Sequence, residues 1–272
     1  MLDHRTQLAV PHRRNRRGAV WVGAVAVLVT AAALVTSFLL VRSPDGDTGE
    51  VAANASARAI VVFDRTTGRT VRGDNAAARF RSASLVKLLI ALDLLDRGVV
   101  TPARPSPRMS RMLAYSDDGI AQQLWDSGGG GQIVTRMAQA LGLHDTRPPT
   151  VDRRWGDTRI SADDMVTLYR HVCGLPADRR ALILDPLRGA ARVAADGTDQ
   201  FFGIPSALHE PWAVKQGWAA GQGGVDAHTS GLVGTGDRYV VVVLTHAPEG
   251  SSLSAATATL TAITATLAPL LK

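Results

Sequence analysis

The order of strand-like and helix-like segments is the feature that most constrains how this chain can fold. Residues 57–74 alternate as two strands around a Thr-Thr-Gly-Arg turn, and three more strand patterns with tight turns follow Trp212. Between them, helical patterns cover residues 84–97, 117–126, 131–141 and 161–173. This order predicts an α+β fold: an antiparallel five-stranded sheet flanked by helices, with an all-helical block and with the first and last strands in one sheet.

The N-terminal residues predict a membrane anchor. Residues 18–41 carry no charge and are long enough to cross a bilayer core of about 30 Å. Residues 1–17 hold five arginines and one aspartate, so the positive-inside rule keeps this basic tail in the cytoplasm. We expect a transmembrane signal anchor at 18–41, a linker at 42–57, and a domain at 58–272 outside the cytoplasm, at the cell membrane. A cleaved signal peptide, which would secrete the domain, is the alternative, although apolar stretches of about 7–15 residues are usual there.

Composition argues against several other classes of protein. The net charge of +6 lies mostly in the basic tail, and no basic stripe with interleaved aromatic residues follows, so we expect no nucleic-acid partner. The single cysteine, Cys173, cannot form an internal disulfide and offers no N-terminal lipidation site. The histidines lack metal-ligand spacing, and we expect no metal and no cofactor. The apolar segment 251–272 is long enough for a second span, but its threonines favour a helix with one buried face.

A serine and a lysine three positions apart carry the first sign of chemistry. Ser84 and Lys87 stand at the start of an apolar helix, where residues i and i+3 share a face, so the amine can accept the hydroxyl proton. The chain has 30 lysine and arginine residues, of which only Lys87, Lys215 and Lys272 are lysine. A general base is a role that arginine cannot fill, because its guanidinium does not lose a proton near neutral pH.

Two further motifs follow in order, and together the three support a family resemblance. The motifs are Ser84-Leu85-Val86-Lys87, Ser116-Asp117-Asp118 and Lys215-Gln216-Gly217. In this order the chain resembles, over about residues 58–271, the penicilloyl-serine transferase superfamily, in particular the class A β-lactamases and penicillin-binding proteins, which carry S-x-x-K, S-D-N and K-T-G. The resemblance implies that Ser84 is the nucleophile, that Lys87 is its base, and that Ser116 relays a proton to the leaving nitrogen.

The resemblance also implies a substrate-binding set. Its members are Asp118, Lys215, Gln216, Gly217 and Trp218. Lys215 holds its charge against a substrate carboxylate, Gly217 lets the substrate lie close to its strand, and the backbone amide of Trp218 joins that of Ser84 in an oxyanion hole.

The chain also departs from the family pattern. Lactamases of this type place a glutamate in a loop to activate the hydrolytic water, but the corresponding segment, residues 146–161, has none. Asp152 is the nearest carboxylate candidate to replace it. Asp118 replaces an asparagine, so it can only accept hydrogen bonds, and its charge raises the pKa of Lys87. Gln216 replaces a threonine, whose hydroxyl helps to bind the substrate carboxylate, and the glutamine amide can donate in its place.

These observations predict a membrane-anchored, extracytoplasmic, β-lactamase-like serine hydrolase that acts through an acyl-enzyme. Its expected partner is a small-molecule β-lactam or a peptidoglycan-type peptide, and we expect a monomer. Two alternatives remain open. One is a penicillin-binding protein or peptidase with slow turnover, and the other is a catalytically silent domain that binds wall peptides or β-lactams.

Overall fold

A computed structural model describes residues 56–221 and 223–272. The predicted cytoplasmic tail at 1–17 and the anchor at 18–41 lie outside the described residues, as does nearly all of the linker at 42–57. The predicted domain at 58–272 is described apart from residue 222, and the strands begin at its first residues.

The strands confirm the predicted sheet. In chain order they are β1 (Ala57–Asp64), β2 (Arg69–Asp74), β3 (Phe80–Arg81), β4 (Arg159–Ile160), β5 (Trp212–Gly221), β6 (Gly224–Val233) and β7 (Tyr239–Ala247). Five of them form one antiparallel sheet in the order β2-β1-β7-β6-β5, and β3 pairs with β4 separately. β1 pairs with β7 along its whole length, so the first and last strands of the large sheet are neighbours, as the sequence predicts.

The helices extend beyond those that the sequence predicts. In chain order they are α1 (Lys87–Asp96), α2 (Pro107–Ala114), α3 (Asp118–Gly128), α4 (Gln132–Leu141), α5 (Ala162–Gly174), α6 (Ala177–Arg188), α7 (Ile204–Ala207) and α8 (Leu253–Ala265). The predicted helices correspond to α1, α3, α4, α5 and α8, whereas α2, α6 and α7 were not predicted. α2 has a recognisable start, with Ser106 as N-cap and Pro107 in the first turn, but α6 contains Pro186, which hides its helical pattern.

Alternate side chains of the large sheet pack into two apolar layers, one on each face. On β1, Val61 and Phe63 pack with the helical block that contains α1 to α6, whereas Ile60 and Val62 pack on the other face with α8. This period-two division explains why the sheet is nearly continuous in apolar residues: both of its faces are covered.

Helix α8 belongs to the second layer. By length and composition alone, the segment Leu253–Leu270 could cross a membrane, and within the described part of the chain no other helix meets that test. In the structure, Leu260 and Leu267 are fully buried against the sheet. This packing agrees with the prediction of a helix with one buried face.

A short 3-10 turn, Ala83–Val86, joins the small sheet to α1. It is fixed from one side by Ser82, whose amide donates to the carbonyl of Thr158 at 2.7 Å. From another side β5 approaches it so closely that a Cβ on Gly217 would lie 3.0 Å from the carbonyl of Ser82. The turn is therefore held between the edge strand of the large sheet and the loop that precedes β4.

Candidate active site

Ser84 and Lys87 meet as their spacing predicts. Ser84 lies in the 3-10 turn, Lys87 is the first residue of α1, and the lysine Nζ donates to Ser84 Oγ at 2.8 Å. Both side chains are buried. The residue before the serine, Ala83, has a φ of 45°, a left-handed conformation that costs about 1–2 kcal/mol for a residue other than glycine. The backbone is thus strained next to the candidate nucleophile.

Lys87 is surrounded by oxygen acceptors. Besides Ser84, its Nζ contacts the carbonyl and the Oγ of Ser116, at 2.7 and 3.0 Å, and Oδ1 of Asp118 at 2.5 Å. Burial lowers the pKa of Lys87, and the charge of Asp118 opposes that shift without reversing it. The sequence therefore predicted the direction in which Asp118 acts, but desolvation is the larger effect and favours the neutral amine.

Ser116 links the two buried lysines. Its Oγ accepts from Lys87 Nζ and also from Lys215 Nζ, the latter at 2.9 Å. Burial, and then the positive charge of Lys87, hold the pKa of Lys215 well below its usual range. Two amines that share one hydroxyl cannot easily both be charged. The three side chains form a continuous hydrogen-bonded path for a proton.

The backbone around Ser116 fixes its position. Ser116 has a φ of 52°, and the next residue, Asp117, caps α3 by accepting from the amide of Ile120 at 3.0 Å. Arg111 of α2 also donates to Asp117, at 2.9 Å. The serine is thus held in the sharp connection between α2 and α3.

Asp118 lies at the rim of the site. Its side chain is 62% exposed, although its partner Lys87 is fully buried. One oxygen is bound by that lysine, and among the described residues the other has no hydrogen-bond donor. The carboxylate therefore faces the cleft.

Gln216 differs from the expectation that its amide would donate to a substrate. The side chain is buried, and its Nε2 donates to the backbone carbonyls of Gln200 and Phe202. Both amide hydrogens are used, and the buried Oε1 has no hydrogen-bond partner in the described structure. Strand alternation explains this orientation, because Gln216 points to the opposite face of β5 from Lys215 and Gly217. Its amide serves the fold rather than the cleft.

Gly217 and Trp218 of β5 also lie beside the candidate nucleophile. Gly217 packs directly on the turn that carries Ser84, so the close approach that needs a glycine is made by the protein itself rather than by a substrate. Trp218 lines the cleft, and its Nε1 donates to Oδ2 of Asp196 at 3.1 Å. The indole also lies 6.0 Å from Lys215 Nζ, measured to the ring centroid.

The cleft at Ser84 has a volume of about 470 Å³. Its lining residues are Ala83, Ser84, Asp118, Arg153, Arg154, Trp155, Gly156, Asp157, Asp196, Trp218, Ala219 and Ala220. Lys87 and Lys215 lie beneath this lining. The sequence did not single out Trp155 or Asp196, and Trp155 lies over the base, with its ring centroid 4.9 Å from Lys87 Nζ.

Asp152 does not reach the cleft, so the suggestion that it could replace the loop glutamate is wrong. Its Oδ1 accepts from the amide of Gly131 at 2.7 Å, and its carbonyl accepts from Nε1 of the buried Trp125 at 2.8 Å. These bonds tie the loop to the helical block. The one carboxylate that this loop brings to the cleft is Asp157, which is bound by Arg154 at 2.7 Å.

His228 does not supply an alternative base. His228 is buried, with Nε2 2.7 Å from the carbonyl of Arg81 and Nδ1 accepting from the amide of Thr245. Burial also lowers its pKa. Within residues 56–221 and 223–272, no group of three His, Cys, Asp or Glu side chains could hold a metal ion.

A buried lysine that contacts a serine hydroxyl, with a second serine and a second lysine beside it, defines a serine–lysine active-site arrangement on an α+β fold. Comparison with known proteins then identifies the family. The sequence model of the "Beta-lactamase enzyme family" matches residues 108–270, which include Ser116 and Lys215. The chain belongs to this family.

Related proteins agree with this assignment. The chain is 38% identical over 222 residues to the protein named "Putative lipoprotein LppW" of Mycobacterium tuberculosis and Mycobacterium bovis, which covers 78% of this chain and 70% of the relative. The structure of PBP-A has a TM-score of 0.62 at 18% identity, covering 79% of this chain and 89% of PBP-A. A class A β-lactamase from Mycobacterium abscessus has a TM-score of 0.60 at 21% identity, covering 78% and 92%. The two solved structures show that the fold is β-lactamase-like.

Proposed function

We propose that this protein is a serine enzyme that forms an acyl-enzyme on Ser84 with β-lactams or related acyl peptides and releases the acyl group slowly. The observation that carries this proposal is the 2.8 Å contact between Lys87 Nζ and Ser84 Oγ, made by a buried amine whose pKa is lowered. A neutral amine at that distance can act as a general base.

In the first step, Ser84 Oγ bonds to the substrate carbonyl carbon while its proton passes to neutral Lys87. The carbonyl oxygen becomes an oxyanion, and the backbone amides of Ser84 and Trp218 are our candidates for the donors that stabilise it. Both residues line the cleft, and β5 packs against the turn that carries the serine.

In the second step, the carbon–nitrogen bond breaks. Ser116 Oγ gives its proton to the leaving nitrogen and takes one from the protonated Lys87, with which it shares a hydrogen bond. Lys215 contacts the same oxygen and stabilises the serine while its proton moves. The products are an ester on Ser84 and an amine, which stays tethered when the substrate is a β-lactam.

Slow release of the acyl group follows from the side chains that the loop before β4 presents to the ester. The loop that precedes β4 presents the indole of Trp155 over Lys87, and its carboxylate Asp157 is paired with Arg154. Neither group is an obvious base for an attacking water. A point mutant of the similar PBP-A has been solved as an acyl-enzyme with penicillin G, so a structure of this kind can hold such an ester.

A catalytically silent binding domain is the second candidate, and the short Lys87–Asp118 contact favours it. An ion pair at 2.5 Å stabilises the protonated amine, which cannot accept a proton from Ser84. The two candidates differ in one measurable property, which is a covalent bond to substrate.

The test is an intact-mass time course of the full-length protein in detergent with penicillin G. We expect one penicillin mass on the peptide that contains Ser84, lasting for many minutes. The adduct should be absent from Ser84→Ala and present in a control, Ser254→Ala, which alters an exposed serine of α8. Rapid decay of the adduct would identify a lactamase, and no adduct on the folded protein would support the silent domain.

We also propose that the domain acts outside the cytoplasm at the membrane, held by residues 18–41. The relatives named as lipoproteins support membrane association, and the uncharged residues 18–41 are the segment that we propose provides it here. Protease treatment of intact spheroplasts should digest the domain and leave the tail protected. Digestion only after lysis would contradict this location.

A further inference from the structure

The wall of the Ser84 cleft combines aromatic rings with carboxylates. The two indoles are those of Trp155 and Trp218, and Asp196 is hydrogen-bonded to the second of them. Aromatic faces attract cations, and an adjacent carboxylate adds a direct ion pair. Such a wall favours a positively charged group on a ligand.

Asp196 is held in place before any ligand arrives. Its Oδ2 accepts from Trp218 Nε1 at 3.1 Å, and its Oδ1 accepts from the amide of Thr198 at 2.9 Å. Its charge also acts on both buried lysines, raising the pKa of each against the larger effect of burial. A fixed carboxylate at this range binds a cation without first being ordered.

Among the described residues, no other charged side chain of the cleft forms an ion pair with Asp196. Lys87 and Lys215 lie beneath the lining with lowered pKa values, and Arg154 is paired with Asp157. Arg153 also lines the cleft and forms no ion pair with the described residues, which leaves it available for a substrate carboxylate. Ala219 and Ala220 of β5 add only an apolar surface beside Trp218.

We infer that the cleft selects acyl donors that carry a protonated amine near the reacting carbonyl, with the ammonium group bound between the Trp218 indole and Asp196. This inference rests on the proposed acylation of Ser84 and adds the substrate class to it. The physiological donor is then an amine-bearing acyl peptide or ester rather than a neutral one.

Ampicillin and penicillin G test the inference, because they differ by one amine on the side chain and share the same ring and carboxylate. We expect ampicillin to acylate Ser84 about tenfold faster at a pH where its amine is charged. The preference should disappear as the pH rises through the pKa of that amine. Equal rates for the two penicillins at the lower pH would overturn the inference.

Variants assign the preference to Asp196. Asp196→Asn removes the charge and keeps one of the two acceptor oxygens, and it should bring the rate ratio close to one. The control is Asp199→Asn in the same loop, whose carboxylate pairs with Arg192 and does not line the cleft, and it should keep the ratio. An unchanged ratio in Asp196→Asn would contradict the assignment.

Binding to Ser84→Ala separates this inference from the proposed chemistry. Without the nucleophile, ampicillin should still bind about tenfold more tightly than penicillin G, as measured by calorimetry. If the wild type forms no adduct but this preference persists, the proposed acylation fails, whereas the ammonium-binding site at Asp196 and Trp218 is retained. If adducts form at equal rates and the two affinities are equal, the acylation stands and the inference fails.

Discussion

The cleft has two sides, and they differ in how many candidate catalytic groups each of them presents. On the side of α1 and α3, Ser84, Lys87 and Ser116 are linked by hydrogen bonds of 2.8 and 3.0 Å, and Lys215 extends the path. On the side of the loop before β4, an indole covers the base and the carboxylate is already paired. In the proposed mechanism, making an acyl-enzyme and hydrolysing it need separate groups, and the described cleft holds candidates for the first set beside a loop whose carboxylate is already paired.

Replacing the base should have the largest effect. Lys87→Met keeps the length of the buried side chain but removes the amine, so acylation by penicillin G should fall by about 10³-fold, as is typical when a general base is lost. The control Lys272→Met removes an exposed lysine and should leave the rate unchanged. Stopped-flow or intact-mass kinetics would measure both. A Lys87→Met variant within tenfold of the wild type would show that another group accepts the proton.

A carboxylate placed in the loop before β4 should supply the missing base and speed hydrolysis of the acyl-enzyme. Trp155→Glu puts a base within reach of the ester, so the lifetime of the acyl-enzyme should shorten by about 10²-fold. Trp155→Gln is the matched control, because it opens the same space without a charge. If the glutamine variant loses its adduct just as quickly, the indole acts by excluding water and the missing base is not the cause of slow release.

Removing the charge of Asp118 should make acylation of Ser84 faster near neutral pH. Acylation needs neutral Lys87, whose population rises with pH, and Asp118 raises the pKa of that lysine. In Asp118→Asn the pKa falls further, so the ascending limb of the rate-against-pH profile should move to lower pH, and the rate near neutral pH should rise several-fold. Asp126→Asn changes an exposed aspartate of α3 and should leave the profile in place. A shift to higher pH in Asp118→Asn would mean that its carboxylate helps catalysis directly.

Local patterns were enough to predict much of this molecule. The pairing of Ser84 with Lys87 follows from helical spacing, and the strand order follows from alternation and tight turns. The orientation of Gln216 could also have been predicted, because period-two alternation places it on the face opposite Lys215. Its assignment to the substrate-binding set instead followed from its position in the family motif, which says nothing about the direction of the side chain.

The rest of the site depends on contacts between distant segments. Trp155 reaches Lys87 because Asp152 is tied to Gly131 and Trp125, and no local pattern encodes those bonds. The bond between Trp218 and Asp196 joins a strand to a loop 22 residues away in the sequence. Side chains that act through such tertiary contacts cannot be chosen from a single sequence, although their neighbours can.

The smallest predicted effect concerns the strained backbone beside the nucleophile. Ala83 has a φ of 45°, which glycine adopts without a steric penalty, so Ala83→Gly should raise the free energy of unfolding by at most about 1 kcal/mol. The same change at Ala140, an exposed residue of α4, should lower it by about 1 kcal/mol, because glycine disfavours a helix. Urea denaturation measures both. If Ala83→Gly destabilises the protein as much as Ala140→Gly does, the turn at Ser84 stores no strain, and it owes its geometry to the Ser82–Thr158 hydrogen bond and to the packing of Gly217 against Ser82.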